Sequence, residues 1–294
     1  MDVLTGTTEY DVDWRMLNMN AELVASSLSL TLRSGLHMLR PYWRSNVNGG
    51  DGVAPINHIL KFETFGHPCS LQTTLRQESQ IRLVTTRNDD GSLKRGHLVL
   101  TCELFKADNL VGRSEFWLAL TRPLAPPDER MPSDVPEGLK FLKEYELGED
   151  DLLSRDIESY RCEGSGEMLT YDTQPVVFHM DQSDQYRHIN TVKYMDRVLD
   201  LLSLQYHKMG GDVGRLRFHE IVIYFRKPFV PGQVAEAELD FIQRADKFRG
   251  AVRFYHCNGD GTRSERISMA METRGPLVDD LRIIGGGLRD GQYR

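Results

Sequence analysis

Two apolar periods alternate along the chain. Between residues 190 and 206, Val192, Met195, Leu199 and Leu202 recur at helical spacing, and Val198 and Leu201 widen the stripe. That spacing predicts an amphipathic helix with one buried face. Between residues 234 and 242 the period is two. Ala235, Ala237, Leu239 and Phe241 alternate with Glu236, Glu238 and Asp240, which predicts a half-buried antiparallel strand with its acids outward. Residues 247–257 and 265–273 read as further strands, split by the turn Asn258-Gly-Asp-Gly261. A short strand-like run, 175–178, precedes the helix.

The same order occurs earlier. An alternating run at 7–13 is followed by a helical run through Val24, Leu28, Leu32 and Leu36. Strands at 82–87 and 97–105 then flank Asn88-Asp-Asp-Gly91, and 114–121 closes the series. Matches at three offsets link the copies. Asn20 stands against Asn190 at an offset of 170, Phe62 and Pro68 against Phe225 and Pro231 at 163, and Gly112-Arg-Ser-Glu115 against Thr262-Arg-Ser-Glu265 at 150. A shrinking offset is what shorter loops in the second copy produce. The pattern predicts two α+β units at 1–122 and 173–278. A Pro- and acid-rich linker, 123–172, is expected to run over the surface with a short helix near 138–145, and 279–294 reads as a loose tail.

Composition narrows the function classes. The chain has 294 residues and a formal net charge of −7, with no basic stripe interleaved with aromatics, which argues against nucleic acid as a main partner. No apolar run approaches the roughly 20 residues of a membrane span. The N-terminus lacks the charged and apolar regions of a secretory signal, so a cytoplasmic protein is expected, with an organellar one still open. The four cysteines form no CxxC and lie far from metal-ligand spacing. Cys102 and Cys257 read as buried free thiols, and no metal or cofactor is expected. No phosphate-cradling Gly loop and no GxSxG elbow occurs.

The candidate chemistry is concentrated in Asp184-Gln-Tyr-Arg-His188-Ile-Asn190-Thr-Val-Lys-Tyr194. A carboxylate, an imidazole and a carboxamide fall within seven residues of a strand-to-helix junction. Asn190 is placed to cap the helix, so backbone N–H groups and the positive helix end point back at Asp184 and His188. The same residues also read as a capped helix preceded by a solvated turn.

The run His188-Ile-Asn190-Thr-Val-Lys-Tyr194 resembles the His-Val-Asn-Asn-x-x-Tyr helix entry of hot-dog thioesterases, with Asp184 four residues before the His. Tyr224-Phe-Arg-Lys227-Pro228, continuing to Pro231-Gly232-Gln, is similar to a strand and turn of the 4-hydroxybenzoyl-CoA thioesterase-like group. The nearest likeness is to acyl-[acyl carrier protein] thioesterases, and it covers nearly the whole chain. The resemblance implies a tandem double hot-dog: in each unit one long helix wrapped by a five- to six-stranded antiparallel sheet. It implies an acyl thioester substrate on acyl carrier protein or coenzyme A, and a monomer with an internal pseudo-dimer or a homodimer. Asp184 falls on the general base or nucleophile, His188 on its partner, and Asn190 on an oxyanion-side position. Thr191, Tyr194, Arg187 and Lys227 become candidate substrate contacts, and Arg15, Arg187 and Lys193 candidate phosphate contacts. Three positions depart from the family pattern. Tyr186 stands where the family has Asn, Lys227 where it has Glu, and Gln182 in place of the first Asp of the usual Asp-x-Asp, with Asp181 one residue early. Tyr186 is then a candidate donor in the missing Asn's place. Hydrolysis leads, with dehydration, acyl transfer or simple acyl binding open beside it. The first copy has Asp13 before Trp14-Arg-Met-Leu but no His, and reads as a binding half. Its Trp14, Met16, Met19, Val24 and Leu28 fit either core or tunnel wall.

Overall fold

A computed structural model of the chain describes residues 1–18, 22–43, 52–71, 73–164, 166, 168–184 and 187–278. The first half contains β1 (Leu4–Asp11), α1 (Thr31–His37), β2 (Ala54–Thr64), β3 (Thr74–Arg87), β4 (Leu93–Lys106) and β5 (Asn109–Thr121). A connecting segment carries β6 (Glu144–Glu146). The second half contains β7 (Met168–Val177), α2 (Thr191–Lys208), β8 (Glu220–Phe225), β9 (Val234–Arg244), β10 (Lys247–His256) and β11 (Met269–Pro276). One sheet runs through the molecule in the order β1-β3-β4-β5-β2-β8-β11-β10-β9-β7, with β6 parallel to β3 at the side.

Read inward from either edge, the two halves have the same strand order, and they join by antiparallel pairing of β2 with β8. On a two-fold axis a residue pairs with its own equivalent. At the 163 offset the equivalent of Leu60 is Ile223, and these two are partners in the ladder. The third sequence match does not hold in space: Arg113–Glu115 lie inside β5, whereas 263–265 precede β11. Asn20, Met19 and the tail fall outside the described residues.

α2 buries Tyr194, Met195, Val198, Leu201, Leu202 and Tyr206 against the sheet. Gly250 on β10 lets the helix approach, since a Cβ there would lie 2.7 Å from Leu202 Cδ1. Among the described residues the first half has no comparable helix. The run through Val24 to Leu36 forms a 3₁₀ segment, Ala25–Leu30, and only then the seven-residue α1. Ser27, Thr31 and Ser34 each donate a hydroxyl to the carbonyl three residues back. Such local bonds compete with regular helix. Met16 and Leu28 are buried core.

The connecting segment departs from the expected surface run. Near the expected helix it forms a 3₁₀ turn at Glu137–Leu139, with further 3₁₀ turns at Leu152–Ser154 and Ile157–Ser159, and Val135, Leu139 and Leu142 enter the main core. Leu153, Ile157 and Tyr160 cover the opposite face of the sheet, packing with Val99, Trp117, Val222 and Tyr255. Glu238 and Asp240, expected outward, are therefore buried beside Arg253, which has no exposed surface. Cys69 and Cys102 are buried, whereas Cys257, just past β10, is half-exposed.

Candidate active site

The turn leading into α2 is built by its own backbone. Ser183 bridges to Ile189. Asp184 N–H donates to His188 O at 2.7 Å, and Arg187 N–H to Asp184 O at 3.1 Å. Arg187 closes the reversal with a left-handed φ of 64°, uncommon for a residue with a side chain. The reversal brings His188 back to Asp184, and His188 N–H donates to Asp184 Oδ1 at 3.1 Å. Both residues are half-buried.

Asn190 caps α2. Its Oδ1 accepts from Val192 N–H at 2.9 Å, and its carbonyl receives the N–H groups of Lys193 and Tyr194. Of the first-turn donors, Thr191 N–H has no acceptor among the described residues. Thr191 Oγ1 accepts from Asn57 Nδ2 at 2.9 Å, which ties the helix start to β2 of the other half. Tyr194 is an anchor: its hydroxyl accepts from Phe229 N–H at 2.8 Å, and its ring packs on Phe178 and Phe225. Ile189 N–H donates to Phe229 O at 2.9 Å, so the loop after β8 holds the turn from both sides. Burial pushes the Tyr194 hydroxyl above the ordinary tyrosine range.

A cleft of about 1470 Å³ opens over this turn. Asp184, His188, Asn190, Thr191 and Tyr194 line it from the second half. Leu36, Leu60, Phe116 and His58 line it from the first. Asp184 is the sole carboxylate among the described lining residues, while Arg33, Arg40, Arg95 and Arg226 all border the cleft. A chain that is acidic overall thus presents one acid inside a cationic rim. Met16 and Leu28 are absent from the lining. Arg187 and Lys227 do not line the cleft either; both are exposed, and Lys227 N–H donates to Ser268 O at 2.9 Å. Tyr186 lies outside the described residues. Asn57, His58 and Arg95 escaped sequence reasoning because no motif marks them; only the sheet brings them to the cleft.

Among the described residues, no cluster of three or more His, Cys, Asp or Glu is placed to hold a metal, and no helix is long and apolar enough to cross a membrane. Chemically, the site offers a positioned carboxylate, an imidazole and a helix start whose Thr191 N–H has no acceptor among the described residues, all bordering a largely apolar space.

No protein-family model and no curated protein sequence matches the chain. Solved structures match its fold. A structure assigned as an oleoyl thioesterase from Lactobacillus plantarum superposes with a TM-score of 0.63 and 11% identity, over 94% of this chain and 97% of that one. The 12:0-ACP thioesterase of Umbellularia californica gives 0.59 and 10%, over 93% and 98%. An acyl-ACP thioesterase of Bacteroides thetaiotaomicron gives 0.55 and 12%, over 92% and 96%. At this identity the likeness is one of fold, the hot-dog fold of acyl-ACP thioesterases.

Proposed function

We propose that the chain is a tandem double hot-dog acyl thioesterase, with units at 1–122 and 173–278 joined by 123–172, acting on an acyl carrier protein or coenzyme A thioester. The observation that carries the reading is the gathering of Asp184, His188, Asn190 and Thr191 on one cleft at the α2 N-terminus. Asp184 acts as general base or as the nucleophile. As base, it takes a proton from water while the water oxygen bonds to the thioester carbon. The carbonyl oxygen gains negative charge and is met by Thr191 N–H and the positive end of α2. The C–S bond then breaks, and the leaving sulfur takes the proton. His188 orients the water or the thioester, and Tyr194 keeps the loop after β8 in register with the turn.

Thiol release from a panel of acyl-CoA and acyl carrier protein substrates tests this. Wild type releases thiol from at least one member. Asp184→Ala, still folded by circular dichroism, falls by about 10²–10⁴-fold, the usual worth of a positioned base. Wild type inert on the whole panel would remove hydrolysis and leave dehydration, acyl transfer or acyl binding.

A further inference from the structure

The cleft has a polar wall that hydrolysis does not use. His58 stands at the register shift between Asn57 and Ile59 on β2. A bulge of this kind turns one extra side chain out of the normal alternation. His58 Nδ1 lies 3.0 Å from His97 Nε2, and the two rings stack with centroids 5.2 Å apart. Tyr224 meets the His58 ring edge-on at 4.9 Å. His97 is only 3% exposed, while His58 is half-buried and lines the cleft with Asn57, Arg95 and Tyr224.

Burial, then the charge of Arg95, holds His58 at about 4. Burial, then His58 and Arg95, holds His97 at about 3. Both imidazoles are therefore neutral near pH 7. In a neutral pair one nitrogen donates and the other accepts. Either arrangement engages Nδ1 of His58, and no described residue bonds its Nε2. A plain alkyl chain closing over this wall would strip water from Nε2 and return no partner, which is unfavourable. An oxygen on the chain would replace that water.

The position of such an oxygen follows from the neighbouring residue. Asn57 bonds Thr191 at the start of α2, and consecutive Cα atoms are about 3.8 Å apart. A group bound at His58 is therefore one residue along β2 from the position that meets the start of α2, in the cleft that Asp184 also lines. Uncharged imidazole, carboxamide and phenol suit an uncharged oxygen, and the cations beside them, Arg95 and Arg226, are solvent-exposed. We infer that His58, held by His97, recognises a hydroxyl or keto oxygen on the acyl chain close to the thioester, so that oxygen-substituted acyl groups are the preferred substrate class. The inference rests on the acyl-thioester reading of this cleft.

Non-hydrolysable pantetheine thioethers separate recognition from turnover. S-butyl, S-(3-hydroxybutyl) and S-(3-carboxypropyl) forms are titrated calorimetrically into wild type, His58→Leu and Arg95→Gln. Wild type is expected to bind the hydroxybutyl form about tenfold more tightly than the butyl form, the worth of one good hydrogen bond. His58→Leu brings the two to parity, and Arg95→Gln leaves the preference intact. Equal affinities in wild type would overturn the inference, even without a folded variant. Tightest binding of the carboxypropyl form, lost in Arg95→Gln, would also overturn it and assign the wall to anions. Failure of the hydrolysis reading shows separately, as absence of thiol release from the matching thioesters.

Discussion

The two faces of the sheet are covered by different means, and their chemistry follows the cover. On one face α2 and α1 lie across the strands, and the buried side chains there are mostly apolar, from Leu100 and Phe116 to Leu202 and Phe241. A helix satisfies most of its own backbone, so it asks little of the strands beneath; under the start of α1, Gln77 Nε2 donates to Thr31 O at 3.2 Å and the Ser114 hydroxyl pairs with that of Thr31, all without charge. On the other face the cover is the irregular segment through Leu153, Ile157 and Tyr160. That segment brings backbone groups that need partners once buried. The strands supply them. Arg253 Nη1 donates to Tyr160 O at 2.9 Å, and Cys162 N–H donates to Asp240 Oδ2 at 3.2 Å. Arg253 also pairs with Asp240 at 2.6 Å and with Glu238 at 3.2 Å, while Tyr171 and Tyr255 each donate to Glu238 at 2.9 Å. Charge is buried on this face because a loop, not a helix, lies on it.

Removing Arg253 tests that account most severely. Arg253→Ala leaves Glu238 and Asp240 without their buried cation and Tyr160 O without its donor. Breaking such a pair from one side costs about 3–5 kcal/mol. Urea melts should show a loss of that size, and limited proteolysis should cut first within 145–165, because the cover has lost its anchor. A loss below about 1 kcal/mol would mean that the loop-covered face is solvated and no different from an open sheet.

The same contrast explains what could be read in advance. α2 was legible because its apolar stripe and its cap lie in one continuous run, the cap Asn190 directly before the 18-residue helix. The alternation of β9 was legible as a strand, but the destination of its acids was not. Glu236, Glu238 and Asp240 look identical in pattern, and only the distant segment around Tyr160 decides that the latter two are buried. Likewise Asp184 and His188 announce themselves four residues apart, whereas His58 and His97 are 39 apart in sequence. Their meeting depends on β2 and β4 both flanking β5. The short α1 was hidden for a local reason: apolar spacing does not register Ser27, Thr31 and Ser34 hydroxyls bonding back to the chain.

Acid sharpens the comparison at smaller amplitude. Burial alone would raise the Glu238 carboxyl, but bonds from Arg263, Tyr255, Tyr171 and Arg253 outweigh it and hold the group at about 2. An unfolded Glu titrates near 4.3. Folding therefore lowers this pKa, so the stabilisation is present above about 4.3 and is lost as pH falls toward 2. Thermal melts of wild type should decline across that window. Glu238→Gln should start lower at neutral pH and decline less steeply. Parallel curves for the two proteins would place the acid sensitivity elsewhere.

The smallest effect belongs to the helix-covered face and separates its structural from its chemical work. Asn190→Ala removes the cap on Val192 N–H and should cost about 1 kcal/mol of stability. Asn190→Asp keeps an oxygen at that position and places an anion at the positive end of α2, so stability should hold or rise by about 0.3–1 kcal/mol. If the thioester oxygen gathers charge beside Thr191 N–H, the new carboxylate opposes that charge, and turnover in Asn190→Asp should fall about tenfold for a loss of roughly 1.4 kcal/mol. A capping role alone predicts the reverse ranking, with the Ala variant worse in every assay. Stability and kcat moving in opposite directions in Asn190→Asp would identify the start of α2 as the place where the reaction's negative charge is held.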